Sequence, residues 1–218
     1  MNSTIIIPFS PPDITQEEID AVAEVLRSGW ITTGPKTKLF EKRLAEFCQT
    51  SKVCCLNSAT AALELALRLL GIGPGDEVIT CAYTYSASCS VIVHVGATPV
   101  LVDSAPNSFH IDPEKVKKAI TPKTKAIIPV DIGGVMCDYD ALYKVLEEKK
   151  DLYHPANEIQ EIFGRIIVVA DAAHSIGATY KGKTSGSVAD FTAFSLVVLK
   201  NSTRKEYTGI RSGGSKAA

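Results

Sequence analysis

Apolar positions fall into two rhythms that alternate along this chain. In residues 15–28, Ile19, Val22, Val25 and Leu26 recur on one helical face. Thr15 and Glu18 stand in capping-box spacing, and Gly29 supplies the stop. A polar turn, Trp30-Ile31-Thr32-Thr33-Gly34-Pro35, leads into a second amphipathic helix over about 36–48, with Leu39, Phe40, Leu44 and Phe47 inward.

From residue 52 the rhythm becomes strand, helix, strand. Val53-Cys54-Cys55-Leu56 reads as a short buried strand, and Asn57-Ser58-Ala59-Thr60 opens a strong helix that Gly71 ends. Strands at 76–81, 98–103 and 125–130 alternate with helices at 86–95 and 112–120, the latter opened by a cap and an N1 proline, Asp112-Pro113. Residues 138–163 read as helix, a break at His154-Pro155, and helix again. The β-branched run Ile166-Ile167-Val168-Val169-Ala170 then ends abruptly in Asp171. Tyr180-Lys181-Gly182-Lys183 reads as a hairpin turn and 190–195 as the last strand. The alternation predicts an α/β fold, a mostly parallel sheet flanked by helices. From about Ser202 the apolar period is lost, so 204–218 is expected to be an irregular tail.

Composition narrows the class without naming it. A chain of 218 residues, 45% hydrophobic and 22% charged, suits a soluble globular protein with a sizeable core. A net charge of −1 with no long basic run speaks against nucleic acid as a partner. The N-terminus lacks the basic region of a signal peptide, and no apolar run is long enough to span a membrane, so a cytoplasmic protein is expected. The six cysteines form no C-x-x-C pair and the four histidines have no metal-ligand spacing; buried free thiols and no metal are expected.

Chemistry-bearing residues gather where strands end. Asp171 after one strand and Lys200 soon after the next are what a pyridoxal 5'-phosphate (PLP) site needs. The lysine holds the cofactor aldehyde covalently, and the acid keeps the pyridine nitrogen protonated. The helix opened by Ser58-Ala59-Thr60 directly follows a strand, so its free N–H groups suit a phosphate, although a plain serine cap has the same sequence. Tyr83-Thr84-Tyr85 lies on the same sheet edge and offers either a ring to stack on a flat cofactor or core aromatics. Ser195 offers a hydroxyl to a phosphate; His174 suits either a place near the cofactor or a structural role. Neither G-x-G-x-x-G nor a Walker motif is present, against a dinucleotide or nucleoside triphosphate site.

Taken together, these stretches resemble the DegT/StrS family of PLP-dependent sugar aminotransferases, which have the fold-type I aminotransferase architecture. The resemblance runs from residue 8 to about 203 through Trp30–Pro35, NSATAALELALRLLGIGPGDEVI (57–79), AYTYSAS (82–88), GATPVLVD (96–103), ADAAHSIGA (170–178), Phe194-Ser195 and Lys200-Asn201. It implies that Lys200 and Asp171 are catalytic, that Ala59, Thr60 and Ser195 cradle the phosphate, and that Tyr85 stacks on the ring with His174 beside its hydroxyl. Trp30, Thr32 and Thr33 would form the substrate mouth. The implied division is 1–34 as N-terminal helix and mouth loop, 35–203 as an incomplete PLP-binding large domain, and 204–218 as tail. Truncation after the lysine, with no C-terminal small domain, is the matching expectation.

The implied reaction is amination of a nucleotide-linked keto sugar with glutamate as amino-acid donor, in a homodimer with shared sites. Two departures stand out: Phe194-Ser195-Leu196-Val197 replaces the family's Phe-Ser-Phe-His, and Glu206 is followed by Tyr207-Thr208-Gly209 rather than Gly-Gly. The alternatives are a truncated paralogue acting only as a packing partner, and a PLP-dependent sugar dehydratase. Lys200 weighs against the latter, since some such relatives carry histidine there.

Overall fold

A computed structural model describes residues 14–196; Lys200 and the expected tail lie outside the described residues. Five parallel strands form the central sheet: β1 (Glu77–Cys81), β2 (Thr98–Val102), β3 (Thr124–Ile128), β4 (Ile167–Asp171) and, anticipating chain order, β7 (Phe191–Ala193). Their order is β2-β1-β3-β4-β7. From β1 the chain steps outward to β2 and then returns to the other side of β1 for β3. The direction of winding therefore reverses between β1 and β3, where open α/β sheets bind their ligands.

Alternate strand residues feed two cores. Val78, Ala126, Ile128, Ile167 and Val169 face α3 (Ala59–Leu69) and α4 (Ser86–His94), while Ile79, Ile127, Val168 and Ala170 face α5 (Pro113–Ala119) and α6 (Tyr139–Glu148). Both faces are covered, which is why these strands read as continuous apolar runs rather than as alternating ones.

Local signals explain the helix ends. The Thr15–Glu18 capping box starts α1 (Gln16–Ser28), and Gly29 ends it at φ 70°. Asp112 caps α5 through the N–H of Glu114. The helix expected to break at His154-Pro155 stops earlier, at Lys149; a 3-10 turn, Lys150–Leu152, follows, and α7 (Glu158–Phe163) restarts from an Asn157 cap. Lys181 and Gly182, both at positive φ, make the hairpin turn between β5 (Thr179–Tyr180) and β6 (Lys183–Thr184).

Three expectations change. Val53–Leu56 is extended but pairs with no strand among the described residues; Cys54 and Leu56 are exposed, and the Cys55 N–H donates to Glu41 Oε1 at 2.9 Å. An apolar run becomes a strand only where another strand offers it a ladder. On α2 (Pro35–Cys48), Leu39 and Phe47 are exposed rather than inward. The contact line is Phe40, Leu44 and Cys48, four residues apart, packed on Ile176, Val53 and Phe194. The stripe of α1 is also exposed, at Ile19, Val22 and Leu26. Of the six free thiols, Cys48, Cys81 and Cys137 are buried, whereas Cys54 is exposed and Cys55 and Cys89 are half-buried. Among the described residues, no helix is long and apolar enough to cross a membrane.

Candidate active site

The C-terminal ends of β1, β3 and β4 open on a cleft of about 1120 Å³. Asp171, the last residue of β4, is 5% exposed at its floor. Its Oδ2 accepts the Ser88 hydroxyl at 2.6 Å, and its Oδ1 accepts the Ala173 N–H at 3.2 Å. An ionised carboxylate has room for about four donors, so two are met from within the protein.

At one wall stands the start of α3. Ser58 caps it by accepting from the Ala61 N–H at 3.1 Å. The N–H groups of Ala59 and Thr60 precede the first intrahelical bond and point out of the helix end, where the macrodipole is positive. Tyr85, the N-cap residue of α4, is 75% exposed beside the cleft. His174 is exposed on the loop after β4, and Ser195, 7% exposed, follows β7. All of these residues line the same cleft.

A second carboxylate stands beside the first. Asp131 follows β3, is 1% exposed, and donates its N–H to the Asp171 carbonyl at 3.0 Å. Its Oδ1 accepts from the Cys137 N–H at 2.9 Å and the Tyr139 hydroxyl at 3.1 Å, and its Oδ2 from the Ser175 hydroxyl at 3.0 Å. Burial outweighs these bonds and pushes its carboxyl above the usual range; burial also holds Tyr139 well above its ordinary value, and thus as a neutral donor. Asp131 therefore ties together the loops that follow β3 and β4.

The DegT/DnrJ/EryC1/StrS aminotransferase family matches residues 12–206. The chain belongs to that family. It is 45% identical to the spore coat polysaccharide biosynthesis protein SpsC of Bacillus subtilis, over 89% of this chain and 46% of that one. With the GDP-perosamine synthase of Caulobacter vibrioides it shares 40% identity, over 87% of this chain and 47% of the relative. Among solved structures, the PLP form of Spr1654 from Streptococcus pneumoniae, assigned as a sugar aminotransferase, superposes with a TM-score of 0.88 at 59% identity. That match covers 89% of this chain and 50% of the other. The chain thus spans about half the length of the relatives it matches, and its fold is that of fold-type I PLP-dependent aminotransferases.

The residues present suit the family's cofactor. PLP requires a phosphate cradle and an acid facing its ring nitrogen; the open N–H groups of α3 and the partly served carboxylate of Asp171 are groups of the kinds that could hold it, and they share one cleft. The structure therefore brings Ala59, Thr60, Tyr85, Asp171, His174 and Ser195 together. Trp30, Thr32 and Thr33 lie elsewhere, exposed on the loop between α1 and α2, where the Trp30 indole N–H donates to the Thr33 carbonyl at 3.0 Å. Lys200 lies outside the described residues.

Sequence reasoning missed Ser88 and Asp131. Asp131 carries the signal that revealed Asp171, an acid ending a buried apolar run. Ser88 has none, since nothing in AYTYSAS points to a partner 83 residues away.

Proposed function

We propose that this chain carries the cofactor-binding part of a PLP-dependent sugar aminotransferase that transfers an amino group from glutamate to a nucleotide-linked keto sugar. The observation that carries it is Asp171, buried at the end of β4 and sharing a cleft with the open N-terminus of α3. When bound, PLP supplies an electron sink for the bond-breaking at the donor's Cα.

The chain's own residues do the rest. Asp171 favours the protonated ring nitrogen by its charge, the N–H groups of Ala59 and Thr60 with the Ser195 hydroxyl bind the phosphate, and Tyr85 covers the ring face. His174 sits near the ring hydroxyl. Lys200 holds the cofactor aldehyde and, once its amine is free, accepts the donor's Cα proton. Residues 35–203 form the cofactor-binding unit, and Trp30, Thr32 and Thr33 meet the sugar in a cytoplasmic homodimer with shared sites. A sugar acceptor is supported by the polysaccharide role in the name of SpsC and by the GDP-perosamine synthase, whose product name carries a nucleotide.

The test is PLP titration of the purified protein and of Lys200→Ala, followed by absorbance. The yellow band of lysine-linked PLP is expected in the wild type and not in the variant. Its absence from both would overturn the proposal. Formation of 2-oxoglutarate from glutamate, across a panel of nucleotide-linked keto sugars, then tests donor and acceptor.

A further inference from the structure

Asp171 and Ser88 belong to elements that are not neighbours. α4 hangs from β1, and β3 stands between β1 and β4 in the sheet. Ser88 nevertheless lies fully buried with its Oγ 2.6 Å from Asp171 Oδ2. Around it are the Thr84 hydroxyl at 2.7 Å and the Tyr85 carbonyl at 3.4 Å.

Proton counting sets the direction of this chain. Ser88 has one hydroxyl proton, and an ionised carboxylate can only accept, so at 2.6 Å that proton goes to Asp171. The Tyr85 carbonyl, at the longer distance, is left without it, and Thr84 must then donate to Ser88. Each carboxylate oxygen of Asp171 thus has one donor from within the protein, Ser88 on Oδ2 and Ala173 on Oδ1, and each keeps acceptor capacity for a ligand.

We propose that Ser88 is a positioning residue: its hydroxyl fixes the orientation of the Asp171 carboxylate, whose remaining acceptor capacity then meets a cationic ring nitrogen. The inference rests on the assignment of Asp171 as the cofactor's acid. It also couples two parts of the site, because the turn that carries Ser88 begins at Tyr85, whose carbonyl accepts the Ser88 N–H at 3.2 Å.

Two readouts test it. In cofactor-free protein, the side-chain carboxyl ¹³C signal of Asp171, assigned by its loss in Asp171→Asn, is expected to move in Ser88→Ala and to return in Ser88→Thr. Thr84→Val should leave it near the wild-type position, because Ser88 keeps its own proton. A signal unmoved in Ser88→Ala overturns the proposal whether or not PLP binds. In PLP titration, Ser88→Ala should weaken binding about tenfold, the scale of one hydrogen bond to a charged group, with Ser88→Thr restored. Equal affinity in wild type and Ser88→Ala also overturns it. A wild type that takes up no PLP overturns the assignment of the cofactor site instead, while the carboxyl signal still decides whether Ser88 holds Asp171. Should Ser88→Ala lose its native circular dichroism, Ser88→Cys, which keeps the volume and weakens the donor, takes its place with the same expectations.

Discussion

Replacing Asp131 by asparagine isolates the cost of a buried charge from the value of its hydrogen bonds. The wild-type carboxylate is 1% exposed and is met by three neutral donors, with burial raising its pKa above the ordinary 3.8. A raised folded value means that the native protein holds this proton more tightly than the unfolded chain does. The stability gained is complete below the unfolded pKa and is lost as pH rises through the folded one. One proton sets the ceiling, a slope of about 1.4 kcal/mol per pH unit.

Asparagine has nearly the same shape. Its Oδ1 keeps the Cys137 and Tyr139 donors, and its amide can donate to Ser175, whose hydroxyl turns toward Ser185 Oγ at 3.0 Å. One amide hydrogen remains poorly served, a cost of about 1–3 kcal/mol that does not vary with pH. Urea unfolding of both proteins, followed by circular dichroism from about pH 4 to 8, should therefore show the variant gaining on the wild type as pH rises from 3.8. A stability difference that is flat across this range, or that moves in favour of the wild type, would refute the argument and place the three donors above burial.

Other substitutions probe the frame. Asp190 meets Arg165 through two bonds, at 2.7 and 2.8 Å, and accepts the Val168 N–H, with both side chains largely buried; Asp190→Ala should cost about 2–3 kcal/mol by urea unfolding. A Cβ on Gly34 would lie 2.3 Å from Trp30 Cδ1. Gly34→Ala should thus displace the only tryptophan and shift its fluorescence, and, because Gly34 is the half-buried N-cap of α2, where alanine is a poor cap, it should cost about 0.5–1 kcal/mol. Leu67, fully buried on α3 against the sheet, should cost about 2–5 kcal/mol when cut to alanine. Ser58→Ala removes the cap of the same helix and should cost about 1 kcal/mol, visible as a lower melting temperature.

The fold was legible wherever the deciding chemistry is local. The Thr15–Glu18 box, the Asp112 cap and the Lys181-Gly182 turn each act over a few residues, and a run such as Ile166–Ala170 is apolar enough to require burial on both faces. The failures share the opposite property. Val53–Leu56 has the composition of a strand, but a ladder needs a partner that its own residues do not encode. Leu39, Phe47 and the stripe on α1 show that helical period marks which residues are apolar, not what covers them. Within the site, acids at strand ends could be read, whereas the tie from Ser88 to Asp171 depends on two chain crossings that no spacing records.

The anchorage of α2 bears on the order in which the chain acquires structure as it is synthesised. Leu44 and Cys48 bury themselves chiefly against Ile176 and Phe194, and the Cys48 carbonyl accepts the Thr184 hydroxyl from 136 positions away. At a ribosomal pace of roughly 5–20 residues per second, α2 waits on the order of ten seconds for that surface to be made. During this time β1, β2 and β3 can already pair, since β2 and β3 each join β1, which precedes them in the chain. An N-terminal segment that emerges first but docks last leaves its apolar side chains open to other encounters in the growing polypeptide.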